Sequence, residues 1–283
     1  MAAGAFFIGG PPMDLIIAIK ALIMGVVEGL TEFLPVSSTG HLIVVGSLLH
    51  WNDEKGKLFE IVIQFAAILA VCWEFRERLW RAVATLSTDP KSRAFALNIV
   101  LAFLPAAMIG VVMVETIKRY LFAPVPVSLA FIVGGFIILW IESVARKVRV
   151  ATVDDVKPAD AIWVGFAQAV SMIPGTSRSG ATIMGGLLRG LSRKAATEFS
   201  FFLAIPTIFA ATSLELFKAR HSINFDDLAV IGVGSFASFV SAAIAVRALI
   251  RYVSGHSFKI FAWYRIVFGV LILATWYFGL VKW

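Results

Sequence analysis

The sequence predicts an all-α polytopic membrane protein. It reads as a single integral membrane domain over residues 1–283, an inverted-topology repeat with six transmembrane spans and two re-entrant helix hairpins. Three observations carry this reading. Hydrophobic residues make up 59% of the chain and charged residues 15%, against about 45–50% and about 25% in soluble domains. A soluble globule of this length cannot hide so much apolar surface, and the mean hydropathy of +0.88 agrees. The apolar stretches also run well past the roughly 10 residues of a barrel strand and do not alternate. Finally, two of them are broken by polar Gly/Pro turns and align with each other. A soluble enzyme, a disordered chain and a nucleic-acid-binding domain are excluded.

Residues 1–12 lack a positively charged n-region, and Gly9-Gly10-Pro11-Pro12 interrupts any apolar core. They read as a dispensable extension ahead of an alternative start at Met13, not as a cleaved signal peptide. The first broken region runs from Leu15 to Leu49 and is interrupted by Glu28, Glu32, Pro35 and the polar run Ser37 to His41. Spans follow at about 59–75, 97–117 and 127–144. The second broken region, Ala161 to Leu188, is interrupted from Pro174 to Gly180, and spans follow at about 199–217, 228–247 and 261–280. Lipid does not tolerate an irregular backbone, so each turn must lie inside protein or line a wet cavity.

The two broken regions share a register. Gly25 to Phe33 lies over Gly165 to Ile173 at an offset of 140, Pro35 to Ser38 lies over Pro174 to Ser177 after a one-residue gap, and Phe59 meets Phe199 again at 140. Ile132 to Leu139 resembles Ile266 to Leu273 at an offset of 134. Repeat one covers about 13–144 and repeat two about 160–283. Three spans per repeat invert the second, so the hairpins enter from opposite faces and meet near the middle.

The net charge of +7 and pI of 9.7 fit basic loops against anionic lipid, with no nucleic acid as partner. Fifteen Lys and Arg residues in segments 76–93, 145–160, 189–198 and 247–259 fall on one side and eight on the other. The richer side should be cytoplasmic. The entrance of the first hairpin then faces outward. The single cysteine, Cys72, allows no internal disulfide and reads as apolar filler. Gln64 and Gln168 can hydrogen-bond between helices, Arg247 and Arg265 read as snorkelling or interfacial, and Trp276 and Trp283 as an aromatic belt.

The chemistry concentrates in the two turns. Glu28 and Glu32 are four residues apart on one helix face, so they can hold a divalent cation or share a proton. Ser37, Ser38, Thr39 and His41 follow at once. Ser38 or Ser37 with His41 offers a nucleophile and a base, and His41 is itself a candidate nucleophile or general acid. The second turn, Pro174 to Thr182, reads P-G-T-S-R-S-G-A-T. Gly175 and Gly180 permit close backbone approach, Thr176, Ser177, Ser179 and Thr182 supply hydroxyls, and Arg178 supplies a fork matching two phosphate oxygens. A helix beginning near Ala181 adds its positive end. The Walker spacing is absent, as are GxGxxG, haem and Cys/His zinc patterns.

The run E-G-L-T-E-F-L-P-V-S-S-T-G-H, Glu28 to His41, resembles the first signature of the undecaprenyl-diphosphate phosphatase family, also called bacitracin-resistance proteins. Pro174 to Thr182 is similar to that family's second signature, and the resemblance covers nearly the whole chain from about Met13. It implies hydrolysis of undecaprenyl diphosphate to undecaprenyl phosphate and inorganic phosphate. That recycles the lipid carrier of peptidoglycan synthesis in the bacterial cytoplasmic (inner) membrane, with the site open to the periplasmic side. It implies roles for Glu28, Glu32, Ser38 and His41 on one hairpin and Ser177, Arg178, Ser179 and Thr182 on the other. It also implies a divalent cation (Mg²⁺ or Ca²⁺) with no organic cofactor. The expected partners are the lipid diphosphate and membrane lipids, with a homodimer left open. The expected mechanism has Ser38 attacking, His41 taking or orienting its proton, Glu32 orienting His41, and Glu28 holding a cation or water; the alternative is direct attack by water. The rival class is a transporter of the lipid phosphate between leaflets.

Overall fold

The computed structural model describes residues 15–51, 54–144, 147–220 and 228–280. The expectations on residues 1–12, Met13 and Trp283 lie outside the described residues. Eleven α-helices occur among them. The first half holds α1 (Leu15–Thr31), α2 (Ser38–Leu48), α3 (Glu54–Glu74), α4 (Arg76–Ala84), α5 (Pro90–Leu121) and α6 (Pro124–Ser143). The second holds α7 (Pro158–Val170), α8 (Arg178–Leu188), α9 (Arg193–Ala219), α10 (Leu228–Val253) and α11 (Lys259–Tyr277).

The protein is a multi-pass, all-α membrane protein. Helices α5, α6, α9, α10 and α11 each hold an apolar window long enough to cross a bilayer. The sixth expected span, about 59–75, falls on α3, which continues into α4 across a 75° bend, and the pair makes a sixth candidate crossing. Segment 76–93, read from sequence as a basic loop, is therefore partly helical. Helix α4 alternates Arg76, Arg78 and Arg81 with Leu79, Trp80 and Val83, and Trp80 and Val83 are exposed. That pattern suits a helix lying in the membrane interface. Pro105 in α5 and Pro206 in α9 sit inside long helices, which membrane helices tolerate because neighbours re-satisfy the freed carbonyls. Asp89 caps α5 by accepting from the N–H groups of Lys91 and Ser92. These bonds hold its carboxyl below the ordinary aspartate range.

Both broken regions fold as helix–turn–helix units, α1 packing on α2 and α7 on α8. Each unit leans on a long helix from the other half, α1 on α10 and α7 on α5. Small residues set how close they come. A Cβ at Gly25 would overlap the Gly234 carbonyl, one at Gly29 the Ser238 carbonyl, and one at Gly165 the Ala102 carbonyl. Gly25 and Gly29 are four apart, so one stripe of α1 reaches the α10 backbone, a packing mode common between membrane helices. Helices α6 and α11 pair along their length.

The basic loops converge on one end. Arg78 pairs with Asp154, Arg149 and Arg189 with Asp160, Arg193 with Glu142, and Arg247 with Glu74. All four segments of the charge tally contribute an arginine. Arg247, expected to snorkel, instead holds the α3 end to α10, its Nε 2.6 Å from Glu74.

Candidate active site

The turns between α1 and α2 and between α7 and α8 meet inside the protein. Ser179 Oγ donates to the Leu34 carbonyl at 2.7 Å, stitching the second turn to the first. Ser37 and Ser177 are the N-cap residues of α2 and α8, and both take left-handed backbones, φ 68° and 74°. A non-glycine residue held there is strained, and such strain clusters at functional sites. Ser177 caps its helix by accepting from the Gly180 N–H at 3.1 Å, whereas the Ser37 hydroxyl makes no capping bond.

Glu32 is the hub. Its Oε2 accepts the Ser38 hydroxyl at 2.5 Å and, weakly, the Gln64 amide at 3.5 Å. Its Oε1 lies 3.6 Å from Arg178 Nη2, so the carboxylate bridges the two turns. Arg178 Nη1 donates to the Ser200 carbonyl on α9 at 3.0 Å, while its Nε and Nη2 are buried without a hydrogen-bond partner. Glu28 is 1% exposed and both its carboxylate oxygens are likewise unpartnered. Buried polar atoms are nearly always satisfied. The unpaired donors on Arg178 suit an anion and the unpaired acceptors on Glu28 suit a cation.

His41 is arranged differently from the expectation. Its Nδ1 lies 2.7 Å from the Ser37 carbonyl and its Nε2 2.5 Å from the Tyr264 hydroxyl. A carbonyl only accepts, so Nδ1 carries the proton, and in the neutral ring Nε2 accepts from Tyr264. The ring stacks on Phe268 with centroids 4.1 Å apart. Ser38 thus hands its hydrogen bond to Glu32, not to His41, and both ring nitrogens of His41 serve to hold the strained Ser37 turn against α11. Of the remaining expected binders, Thr39 is exposed, Thr176 half-buried, and Gly175 buried with its carbonyl turned to Arg265. Ser177 shares a hydrogen bond with Ser179 at 3.1 Å, and Thr182 shares one with Ser200 at 2.6 Å. Ser179 and Thr182 therefore already brace the turns.

The chain matches a family model described as "Bacitracin resistance protein BacA" over residues 21–271. The undecaprenyl-diphosphatase of Dechloromonas aromatica (strain RCB) is 59% identical over 271 residues, 96% of this chain and 99% of that protein. Proteins of the same name from Nitrosospira multiformis and Nitrosomonas europaea are 58% and 56% identical with the same coverage. The chain belongs to the bacitracin resistance protein family.

Sequence reasoning misplaced one residue of this BacA-family site. Arg265, read as snorkelling or interfacial, is 0% exposed. Its Nη2 donates to the carbonyls of Gly175 at 2.9 Å and Ala130 at 3.0 Å, and its Nη1 to that of Pro35 at 3.3 Å. The N-caps Ser37 and Ser177 put Pro35 level with Gly175, not with Pro174 as in the sequence alignment. One guanidinium thus ties both turns together, over the Phe131 ring. The signal was present: a charge inside an apolar span is costly and usually functional. Ser200 and Tyr264 carried no such signal, being ordinary residues within spans. The reading of Gln64 and Gln168 as interhelical donors or acceptors holds, Gln64 reaching Glu32 and Gln168 accepting from Thr207 at 3.3 Å.

Proposed function

We propose that this chain hydrolyses undecaprenyl diphosphate to undecaprenyl phosphate and inorganic phosphate. The observation that carries the reading is the line Ser38–Glu32–Arg178, a hydroxyl bonded to a carboxylate that also faces an arginine with free donors. The relatives' shared name supplies the substrate. Ser38 Oγ attacks the terminal phosphorus as Glu32 accepts its proton. The bond to the bridging oxygen breaks, and polyprenyl phosphate leaves. Water then cleaves the phosphoryl-serine and releases phosphate. Arg178 and the N-terminus of α8 stabilise charge on the transferring group, where most of the catalysis lies. His41 and Tyr264 fix the turn that carries Ser38. A lipid transporter would use the arginine, but it has no use for a serine hydroxyl bonded to a carboxylate.

Among the described residues no three His, Cys, Asp or Glu side chains form a metal-ligand set. Glu28 and Glu32 fit the one or two carboxylates that Mg²⁺ takes when substrate phosphates complete its shell. A Mg²⁺ or Ca²⁺ bound there supplies charge neutralisation. The site opens to the outer side of the bacterial cytoplasmic membrane in this reading, because the arginine-rich end, at the opposite end from the entrance of the first hairpin, is the cytoplasmic one.

The test is phosphate release from undecaprenyl diphosphate by purified protein in detergent, where transport cannot contribute. Steady release that collapses in Arg178→Ala and Ser38→Ala, with a phosphoryl-serine trapped on the parent by acid quench, is the expected result. No release across pH with Mg²⁺ or Ca²⁺ added would overturn the reading.

A further inference from the structure

A cavity of about 350 Å³ runs between α6, α7 and α8. Its walls are apolar: Ile137 and Ile141, Trp163 and Phe166, Met184 and Leu188. One end is formed by Thr176, Gly180 and the Arg265 side chain, at the N-terminus of α8, where Arg178 begins the helix. From there it follows α8 toward Leu188, roughly 12 Å at 1.5 Å per residue. Trp163 and Phe166 are 46% and 55% exposed, so the groove opens sideways where lipid lies.

The shared register makes the groove informative. The residues aligned with Gly134 and Ala181 are Phe268 and His41. In the first half these two rings stack, filling the space beside α2. In the second half the Arg265 guanidinium sits where a Gly134 side chain would start, and Ala181 leaves open beside α8 the room that the His41 ring takes beside α2. Gly134 cannot take a side chain, because a Cβ there would overlap the Arg265 guanidinium. The gap therefore lies on the half that carries the arginine, and it ends at the phosphate turn.

We propose that this groove seats the first two or three isoprene units of the lipid diphosphate, with the diphosphate at the α8 N-terminus. The proposal rests on the function proposed above. Continuity with the phosphate turn selects this occupant over an ordinary bilayer chain. The chain leaves one apolar medium for another, so the groove adds little affinity. Its effect is direction: a seated chain holds the terminal phosphorus in line with Ser38.

Ala181→Phe and Ile137→Trp fill the groove from two sides. The experiment compares kcat/KM for isopentenyl, farnesyl and undecaprenyl diphosphates in detergent. Both variants should lower kcat/KM on the two longer substrates about tenfold relative to the shortest, the scale of a misplaced reacting group. An unchanged ratio, including an equal fall on all three, overturns the proposal. Occupancy is read without turnover by a farnesyl diphosphate analogue carrying a benzophenone on its last isoprene. Label on α6, α7 and α8, displaced by unlabelled farnesyl diphosphate, supports the groove. Label elsewhere, or the same label from a benzophenone phospholipid that farnesyl diphosphate does not displace, overturns it. If the parent hydrolyses none of the three, the function fails while the labelling still decides the groove.

Discussion

Replacing Arg265 by lysine keeps the charge and removes the fork. The arginine makes three hydrogen bonds, to Pro35 and Gly175 on the two turns and to Ala130 on α6. Among the described residues no carboxylate pairs with it, so those carbonyls and the face of the Phe131 ring compensate its charge. A lysine ammonium is a single point and cannot span both turns as a planar guanidinium does. At least one carbonyl is then left buried without a donor, at about 1–3 kcal/mol. The larger effect falls on the site. Pro35 and Gly175 lie three residues before Ser38 and Arg178 respectively, so loosening their tie changes the separation of the proposed nucleophile and the proposed phosphate fork. A displacement of ~1 Å costs about 100-fold in rate. The expected result for Arg265→Lys is a kcat about 100-fold down on undecaprenyl diphosphate. KM should change little, because Arg178 and the α8 N-terminus still bind the head. Thermal unfolding in the same detergent should fall by only a few degrees. A variant with parental kcat would refute the account of Arg265 as the tie between the turns, and so would a kcat loss that merely tracks the unfolded fraction.

Glu32→Gln removes both the proton acceptor of Ser38 and the partner of Arg178, and phosphate release should fall about 10²–10⁴-fold. Arg178→Lys keeps a charge but loses the fork, and the same assay should show a drop of about 10²–10³-fold. Glu28→Gln should shift the Mg²⁺ concentration needed for half-maximal rate upward, leaving the fold intact. Gly29→Leu drives a side chain into the α10 backbone; it should cost about 1–3 kcal/mol or prevent assembly, read as lost thermal stability or lost expression.

The apolar spans, the two broken regions and the residues in both turns were legible because they are local. Composition and run length suffice for a membrane helix, and Gly/Pro with clustered hydroxyls suffices for a turn. Three things were not legible. Helix α4 looked like a loop because Arg76, Glu77, Arg78 and Arg81 interrupt its apolar residues, and only the bend at Phe75 shows that it leaves the line of α3. Arg265 looked like a surface charge because Trp263 and Tyr264 beside it suggest an interface. Its true surroundings come from residues up to 230 positions away. The hydrogen-bond order was hidden for a similar reason. Ser38 and His41 are close in sequence and share one face of α2, but partners from other elements claim them separately, Glu32 for Ser38 and Tyr264 for His41.

That last point yields the prediction that separates two mechanisms. If His41 were the base for Ser38, His41→Ala would match Ser38→Ala, and Tyr264→Phe would be nearly neutral. The geometry argues otherwise. Ser38 and Arg178 are the first residues of α2 and α8, at the same place in two turns 140 residues apart. Glu28 aligns with Gln168 and His41 with Ala181, so neither half holds a complete site. In the proposed mechanism the first contributes carboxylates and the nucleophile and the second the phosphate fork, and Glu32 faces Arg178 across the two turns. His41 belongs to the wall behind this line, bonded to Ser37 and Tyr264. Its removal should loosen the strained Ser37 turn and cost about tenfold in kcat, with Tyr264→Phe costing a similar or smaller factor through the same contact. Phosphoryl-serine should still be trapped in His41→Ala, at a slower rate of formation. Complete loss of the trapped species in that variant, with Glu32→Gln still forming it, would return the role of base to His41.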